Sequence, residues 1–312
     1  MTATLHIIDP GTYTIVVDQG RPGWRSLGVP VGGAADRFAL ALGNALVGNG
    51  PACAALEITL AGPTLRADGE LACVLYGAPF EITSDQRPLT AGKTFTLETG
   101  EELRIGHARS GMRAYLCVGG GFEQPLVLGS RSSLAPIQAG AELHCQSGQI
   151  GARYLRPRLV WNRKPKALRV LDGAQADWFR KEELHEQQYL VTASSNRMGL
   201  RLRGQPLAVP ARELVSEPVC PGSVQVTQDG QCIILGVDGQ TIGGYPKIAQ
   251  VATADLDKLA QLRPDEEIRF ERVSLEEAEA LYQQKQVELR EWLTRLLETV
   301  HAESFDCTHD LG

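Results

Sequence analysis

The stretch Glu57-Ile58-Thr59-Leu60-Ala61-Gly62, continued by Asp68-Gly69-Glu70 and Leu71-Ala72-Cys73-Val74-Leu75, decides how the chain is read. It has a counterpart about 160 residues later. There Glu217 and Gly222 are followed by Asp229-Gly230-Gln231 and Cys232-Ile233-Ile234-Leu235, in the same order with one residue inserted. Asp-Gly suits a turn with φ > 0, and the apolar runs behind it suit buried strands. Further on, Glu101-Glu102-Leu103-Arg104-Ile105 is answered by Glu266-Glu267-Ile268-Arg269-Phe270. Each match alone is shared turn-plus-strand chemistry. Two matches in one order point to duplication, and the offset is the size of one domain.

Working outward, strands are expected at 13–17, 56–60, 71–76, 94–97, 103–107, 113–118, 167–171, 224–226, 232–237 and 267–272. Such density argues for barrels or sandwiches rather than a parallel α/β sheet. The basic, proline-bearing stretch from Tyr154 to Lys166 is the candidate linker. It divides a β domain over 1–155 from a second over 166–312 that carries a terminal helix. Three helices are expected. Asp36 can cap the first, Arg37–Val47, which Gly48 can end. Thr253 can cap a short second one with Leu256, Leu259 and Ala260 inward. Ser274 and Glu277 form a capping box for a third, whose apolar stripe runs from Ala278 to Val300 and is strongest at Leu289, Trp292, Leu293, Leu296 and Leu297. At 1.5 Å per residue that helix is about 40 Å long.

Composition narrows the function. The chain has 312 residues, 43% hydrophobic and 22% charged, with a net charge of −6. That suits a globular protein and argues against a general nucleic-acid binder. The 33 glycines and 17 prolines fit many short strands joined by turns. No stretch is long and apolar enough to span a membrane, and the N-terminus lacks a basic region and apolar run. Seven cysteines, an odd number without a CxxC pair, read as reduced thiols in a cytoplasmic protein. The six histidines are scattered, so no metal site is expected. The nearest ligand cluster is Cys307-Thr308-His309-Asp310 in the polar tail.

Loops that combine glycine with charge and amide groups are candidates for chemistry. The first holds Asp18, Gln19, Gly20 and Arg21, followed by Gly28, Gly32, Gly33 and Asp36. It suits a ligand of either charge sign, or an Asp18–Arg21 bridge across a turn. The second is Asn196-Arg197-Met198-Gly199-Leu200-Arg201, whose arginines can fork a carboxylate or lie in a solvated loop. The third, Asp238-Gly239-Gln240-Thr241-Ile242-Gly243-Gly244-Tyr245-Pro246-Lys247, leaves an apolar strand and offers carboxylate, amide, hydroxyl, phenol and ammonium together. It suits proton transfer beside an oxyanion, or a turn that closes a strand pair. It lacks the Walker A spacing. Gly119-Gly120-Gly121 reads as a turn before it reads as an anion nest. Glu57 and Glu217 can each be a catalytic carboxylate or, more commonly, an ion-pair partner.

Seven motifs occur in a fixed order: Asp18-Gln19-Gly20-Arg21, Gly33-Ala34-Ala35-Asp36, Ala41–Asn49, Leu56–Leu60, Ser195–Gly199, Pro221–Val226 and Gln240–Ala249. Together they closely resemble the KipA-type family, the C subunit of prokaryotic 5-oxoprolinase, over about residues 5–290. They are also similar to the carboxyltransferase portion of urea carboxylase. The resemblance implies a mainly β protein of two related cyclophilin-like β-barrel domains with a few helices. It implies a subunit of an ATP-dependent complex that opens 5-oxo-L-proline to L-glutamate, working in the cytoplasm with a KipI-type B subunit and a LamB/YcsF-type A subunit. ATP belongs to the complex; biotin enters only if the chain is instead a urea-carboxylase-like carboxyltransferase. A third reading is a non-catalytic regulator that binds a KipI-type partner. The implied substrate is a small lactam or amide, with no nucleic acid and no membrane. Asp238, Lys247, Gln240 and Tyr245 are the expected catalytic set. Asp18, Arg21, Asn196, Arg197, Thr241, Gly243 and Gly244 are expected to bind substrate. Where the family usually has Thr-Thr-Val-Gln-Asp this chain has Thr14-Ile15-Val16-Val17-Asp18, and where it often has Thr and Ser this chain has Ile242 and Gly32.

Overall fold

The computed structural model describes residues 2–157 and 166–305. The central part of the candidate linker and the Cys307–Asp310 cluster lie outside the described residues. The chain is mainly β. Its first strands are β1 (Thr2–Asp9), β2 (Tyr13–Val17), β3 (Ala55–Thr59), β4 (Thr64–Ala67), β5 (Leu71–Gly77), β6 (Phe80–Ser84), β7 (Phe95–Leu97), β8 (Glu102–Ala108), β9 (Arg113–Val118), β10 (Phe122–Glu123) and β11 (Glu142–Gln146). The later ones are β12 (Lys166–Asp172), β13 (Tyr189–Val191), β14 (Gly199–Arg203), β15 (Glu217–Pro218), β16 (Ser223–Val226), β17 (Cys232–Leu235), β18 (Ile242–Gly243), β19 (Lys247–Val251) and β20 (Glu267–Arg272). Helices are α1 (Arg37–Leu46), α2 (Leu256–Leu259) and α3 (Leu275–Phe305).

These elements form two compact units. The first contains a sheet β10-β11-β1-β4-β8-β6 and a sheet β2-β3-β9-β5-β7. Alternating residues of both enter one core, with Leu5, Ile7, Leu65 and Leu103 from the one and Leu56, Ile58, Leu75 and Leu116 from the other. Helix α1 covers the second sheet's other face, and Gly43 permits the close approach: a Cβ there would lie 2.8 Å from Cys117 Sγ. Gly48, at φ +81°, follows the helix as expected of a left-handed terminator.

The second unit is a closed barrel, β12-β19-β16-β17-β14-β13-β20, with a separate ribbon, β15-β18. Leu168, Val170, Val224, Ile234, Ile268 and Phe270 fill its core. The two Asp-Gly turns therefore join their strands differently. Strands β4 and β5 part into different sheets, whereas β16 and β17 pair with each other, Val226 opposite Cys232. Local turn chemistry is shared; the partners of the strands are not.

The units also interleave in sequence. Residues 21–36 cluster with the barrel, and α3 from residue 286 clusters with the first unit. A single division between 155 and 166 thus leaves out two segments. The reason is non-local bonding: Gly32 N donates to Val237 O at 2.9 Å, and Gln261 Nε2 donates to Asp36 Oδ2 at 2.8 Å. The capping box forms as read. Ser274 N donates to Glu277 Oε2 (2.7 Å) and Glu277 N to Ser274 Oγ (3.2 Å). Thr253 differs. It opens a 3-10 turn that no side chain caps, and the buried Asp255 instead accepts from Arg169 Nε at 3.0 Å.

Candidate active site in the barrel unit

The antiparallel pairing of β14 with β17 sets Gly199 opposite Leu235. The turn before β14 and the loop after β17 therefore meet at one corner of the barrel. Gly236 makes the approach possible: a Cβ there would stand 2.2 Å from Arg197 O. Asn196 builds the turn. Its Oδ1 accepts from Met198 N (2.9 Å) and Gly199 N (3.3 Å). This presents Arg197, whose Nε and Nη2 donate to the two oxygens of Asp238 at 2.6 and 3.0 Å. Arg197 Nη2 also donates to Gly33 O at 2.7 Å. The arginine side chain is 7% exposed and that of Asp238 is 30% exposed, so the carboxylate is the accessible member. Arg201 does not join it; it points outward from β14.

Loop 21–36 completes the corner. Arg21 is buried, and its N donates to Val31 O at 2.6 Å. Gly32, at φ +62°, lies between two charged groups. A Cβ there would be 3.5 Å from Arg21 Nη1 and 3.7 Å from Asp238 Oδ1. Arg21, Gly32, Gly33, Arg197 and Asp238 thus share one place, built from segments about 165 and 205 residues apart in sequence.

The rest of the third loop runs away from this corner. Thr241 O accepts from Val219 N (3.0 Å), and Gly243 pairs with Glu217 across the ribbon. Gln240, Ile242, Gly244 and Tyr245 are exposed; Thr241 and Gly243 are buried. Gln225, 2% exposed, supports the loop from below, its Nε2 donating to Tyr245 O at 3.4 Å. Lys247 pairs in register with Gln225, away from the Gly199–Leu235 corner. Its Nζ donates to Glu217. Lys247 and Glu217 form a second cluster with Gln175, separate from Asp238.

Asp18 belongs to the first unit. Its carboxylate accepts from Ser130 Oγ (2.6 Å), Ser132 Oγ (2.7 Å), Gly20 N (2.7 Å) and Arg131 N (2.6 Å). Burial works to raise its pKa, but those hydrogen bonds outweigh it and hold the carboxyl below its ordinary range. Asp18 borders a cleft of about 430 Å³ with Cys53, Phe122 and Arg131. Gly120 forms a turn whose N–H is taken by Asn49 Oδ1 at 2.8 Å. Of the departures from the family motif, Ile15 and Val17 are core-buried, whereas Ile242 is 57% exposed.

Sequence reasoning singled out Glu217 without placing it at the site, and it missed Gln175, Gln225, Ser130 and Ser132. Only Gln225 lay within a quoted motif. Among the described residues no group of three or more His, Cys, Asp or Glu is placed to hold a metal, and no helix is long and apolar enough to cross a membrane.

The barrel corner gathers an arginine fork, a part-exposed carboxylate and glycine-rich loops on a mainly β scaffold. The chain belongs to the family described as the carboxyltransferase domain, subdomains A and B, whose model matches residues 27–272. Within it, the chain is 35% identical to the 5-oxoprolinase C subunit of Haemophilus influenzae over 91% of this chain and 96% of that protein. Among solved structures, TTHA0988 superposes with a TM-score of 0.79 at 32% identity, over 86% of this chain and 56% of that one. The Kluyveromyces lactis urea carboxylase superposes with a TM-score of 0.84 at 26% identity, over 93% of this chain and 29% of that one. The chain therefore spans about half of the first of those solved chains and under a third of the second.

Proposed function

We propose that the chain is the C subunit of a 5-oxoprolinase, active with a KipI-type B subunit and a LamB/YcsF-type A subunit in the cytoplasm. The observation that carries this reading is the Arg197–Asp238 fork beside Arg21 and Gly32, in a chain that matches a 5-oxoprolinase C subunit along nearly its whole length. The reaction is ATP-dependent hydrolysis of 5-oxo-L-proline to L-glutamate. A lactam carbonyl is a weak electrophile. Phosphorylation of its oxygen lets water add to the carbon; the ring C–N bond then breaks, the nitrogen taking a proton, to leave an acyl phosphate, and a second water hydrolyses this to the carboxylate and inorganic phosphate.

Asp238, aimed by Arg197, accepts the proton of the attacking water. Arg21 holds the substrate carboxylate. Gln240 and Tyr245, exposed on the loop that leaves Asp238, contact the outer edge of the substrate, while Lys247, in its separate cluster with Glu217 and Gln175, receives anionic charge away from the carbon that Asp238 serves. The donor set of the barrel does not fit a nucleotide. Arg197 and Lys247 are each already paired with a carboxylate, and Gly243-Gly244 leads into a strand rather than a helix N-terminus. ATP is therefore assigned to the complex, and no step of its chemistry runs through this chain's residues.

The test is 5-oxoproline-dependent phosphate release by the complex reconstituted from all three subunits. Asp238→Asn and Lys247→Ala are each expected to slow it by at least about 100-fold. Release that is independent of 5-oxoproline overturns the reading. A second reading, carboxyl transfer from a carrier-borne biotin, is favoured by the family description and the urea carboxylase match. Transfer of the carboxyl group to urea from a carrier whose biotin has first been carboxylated by a biotin carboxylase with ATP and bicarbonate would establish it instead.

A further inference from the structure

The Lys247–Glu217 pair is lopsided. The lysine side chain is 15% exposed and the glutamate side chain 37%. Lys247 opens β19 in the barrel wall, and the buried Gln175 grips its backbone from both sides. Lys247 N donates to Gln175 Oε1 and Gln175 N donates to Lys247 O, each at 3.0 Å. Glu217 stands instead on a two-residue strand of a two-stranded ribbon outside the barrel. Such a ribbon has little stability of its own. The cation is fixed and the anion is the member free to leave.

Two donors converge where the carboxylate sits. Glu217 Oε2 accepts from Lys247 Nζ and from Gln175 Nε2, the latter at 3.2 Å. An ammonium and an amide N–H aimed at one oxygen recognise any small oxyanion. A mostly buried ammonium is strongly disfavoured without a counter-charge, so departure of Glu217 calls for another anion in its place.

We propose that Lys247 Nζ and Gln175 Nε2 form an oxyanion subsite which Glu217 closes as a displaceable internal occupant, a reading that rests on the proposed function and deepens it. The ligand is a small oxyanion, carboxylate or phosphate: the phosphate released in turnover or, in place of Arg21 as its holder, the substrate's carboxylate. Glu217 is thereby a positioning residue, setting when Lys247 is available.

Pulse acylation of lysines in the full chain, read at Lys247 by peptide mass spectrometry, tests this apart from turnover. Wild type, Glu217→Gln and Glu217→Asp are compared with 5-oxoproline or inorganic phosphate added, and Lys258 and Lys285 report intact folding. Glu217→Gln should be acylated several-fold faster at Lys247 alone, and anion should protect it at about tenfold lower concentration than wild type. Glu217→Asp should fall between the two. Protection by 5-oxoproline assigns the subsite to substrate, and protection by phosphate alone assigns it to product. Unchanged acylation in Glu217→Gln, or no protection by either anion, overturns the proposal. Phosphate protection without 5-oxoproline turnover in the complex would leave the subsite standing and remove the 5-oxoprolinase reading.

Discussion

Glu57 and Glu217 hold the same place in the repeated pattern and end in opposite situations. Glu57 lies on β3, inside the five-stranded sheet, and is fully buried. Tyr115 Oη donates to it at 2.8 Å, and Arg113 Nε stands 3.3 Å away. Glu217 lies on a ribbon strand, partly open to solvent, and hydrogen bonds from Lys247 and then Gln175 hold its pKa below the usual carboxylate range. A strand with neighbours on both sides turns its acid into a structural lock. A strand with one neighbour leaves the acid at a part-open ion pair.

The sharpest way to break this contrast is to remove both acids in turn. Glu57→Ala strands the Arg113 charge in the interior and should cost about 3–5 kcal/mol in denaturant unfolding. Glu217→Ala leaves Lys247 at a part-open site that water or a solution anion can reach, and should cost clearly less; a comparable loss at both positions would erase the distinction. Next in size, Arg197→Lys cannot fork Asp238 while also reaching Gly33 O, and should lose about 1–3 kcal/mol of stability together with most turnover.

Asp18 extends the comparison to a carboxylate held by neutral donors. Its folded pKa is depressed, so its contribution is present above the unfolded value of about 3.9 and vanishes as pH falls through the lower folded value. Asp18→Asn should cost about 1–3 kcal/mol at pH 7. Its unfolding curve should converge with wild type in acid, so parallel pH profiles would count against the assignment. The smallest effect is expected at Gly32, where alanine meets no clash but must adopt a positive φ, for about 1 kcal/mol by calorimetry.

Much of this was legible in the chain. Strands 13–17, 113–118 and 267–272 were readable to the residue because apolar runs and alternation coincide there. Strands β1, β6, β11 and β14 were not. Their apolar residues alternate with Thr, Glu, His or Arg, and Gly199-Leu200-Arg201-Leu202-Arg203 reads as a basic loop until a partner strand supplies the buried face. The Asn196 and Asp238 loops were recognised as polar and glycine-rich. That Arg197 takes Asp238, while Arg201 stands aside on the strand, depends on pairing between β14 and β17. Lys247 was expected beside Asp238 because nine residues of sequence separate them. The strand register carries the loop away to a different partner.

The segment 21–36 has a consequence for biogenesis. A ribosome emits it long before Arg197, Val237 and Gln261, the groups that anchor it, have been synthesised. The growing chain must hold this strap unanchored while the sheets on either side of it in sequence begin to condense, a recipe for slow, late closure. Expressing the barrel residues without the strap would leave Arg197 without Gly33 and Gln261 without Asp36. A cut at the midpoint of the gene is therefore the wrong place to seek two autonomous pieces.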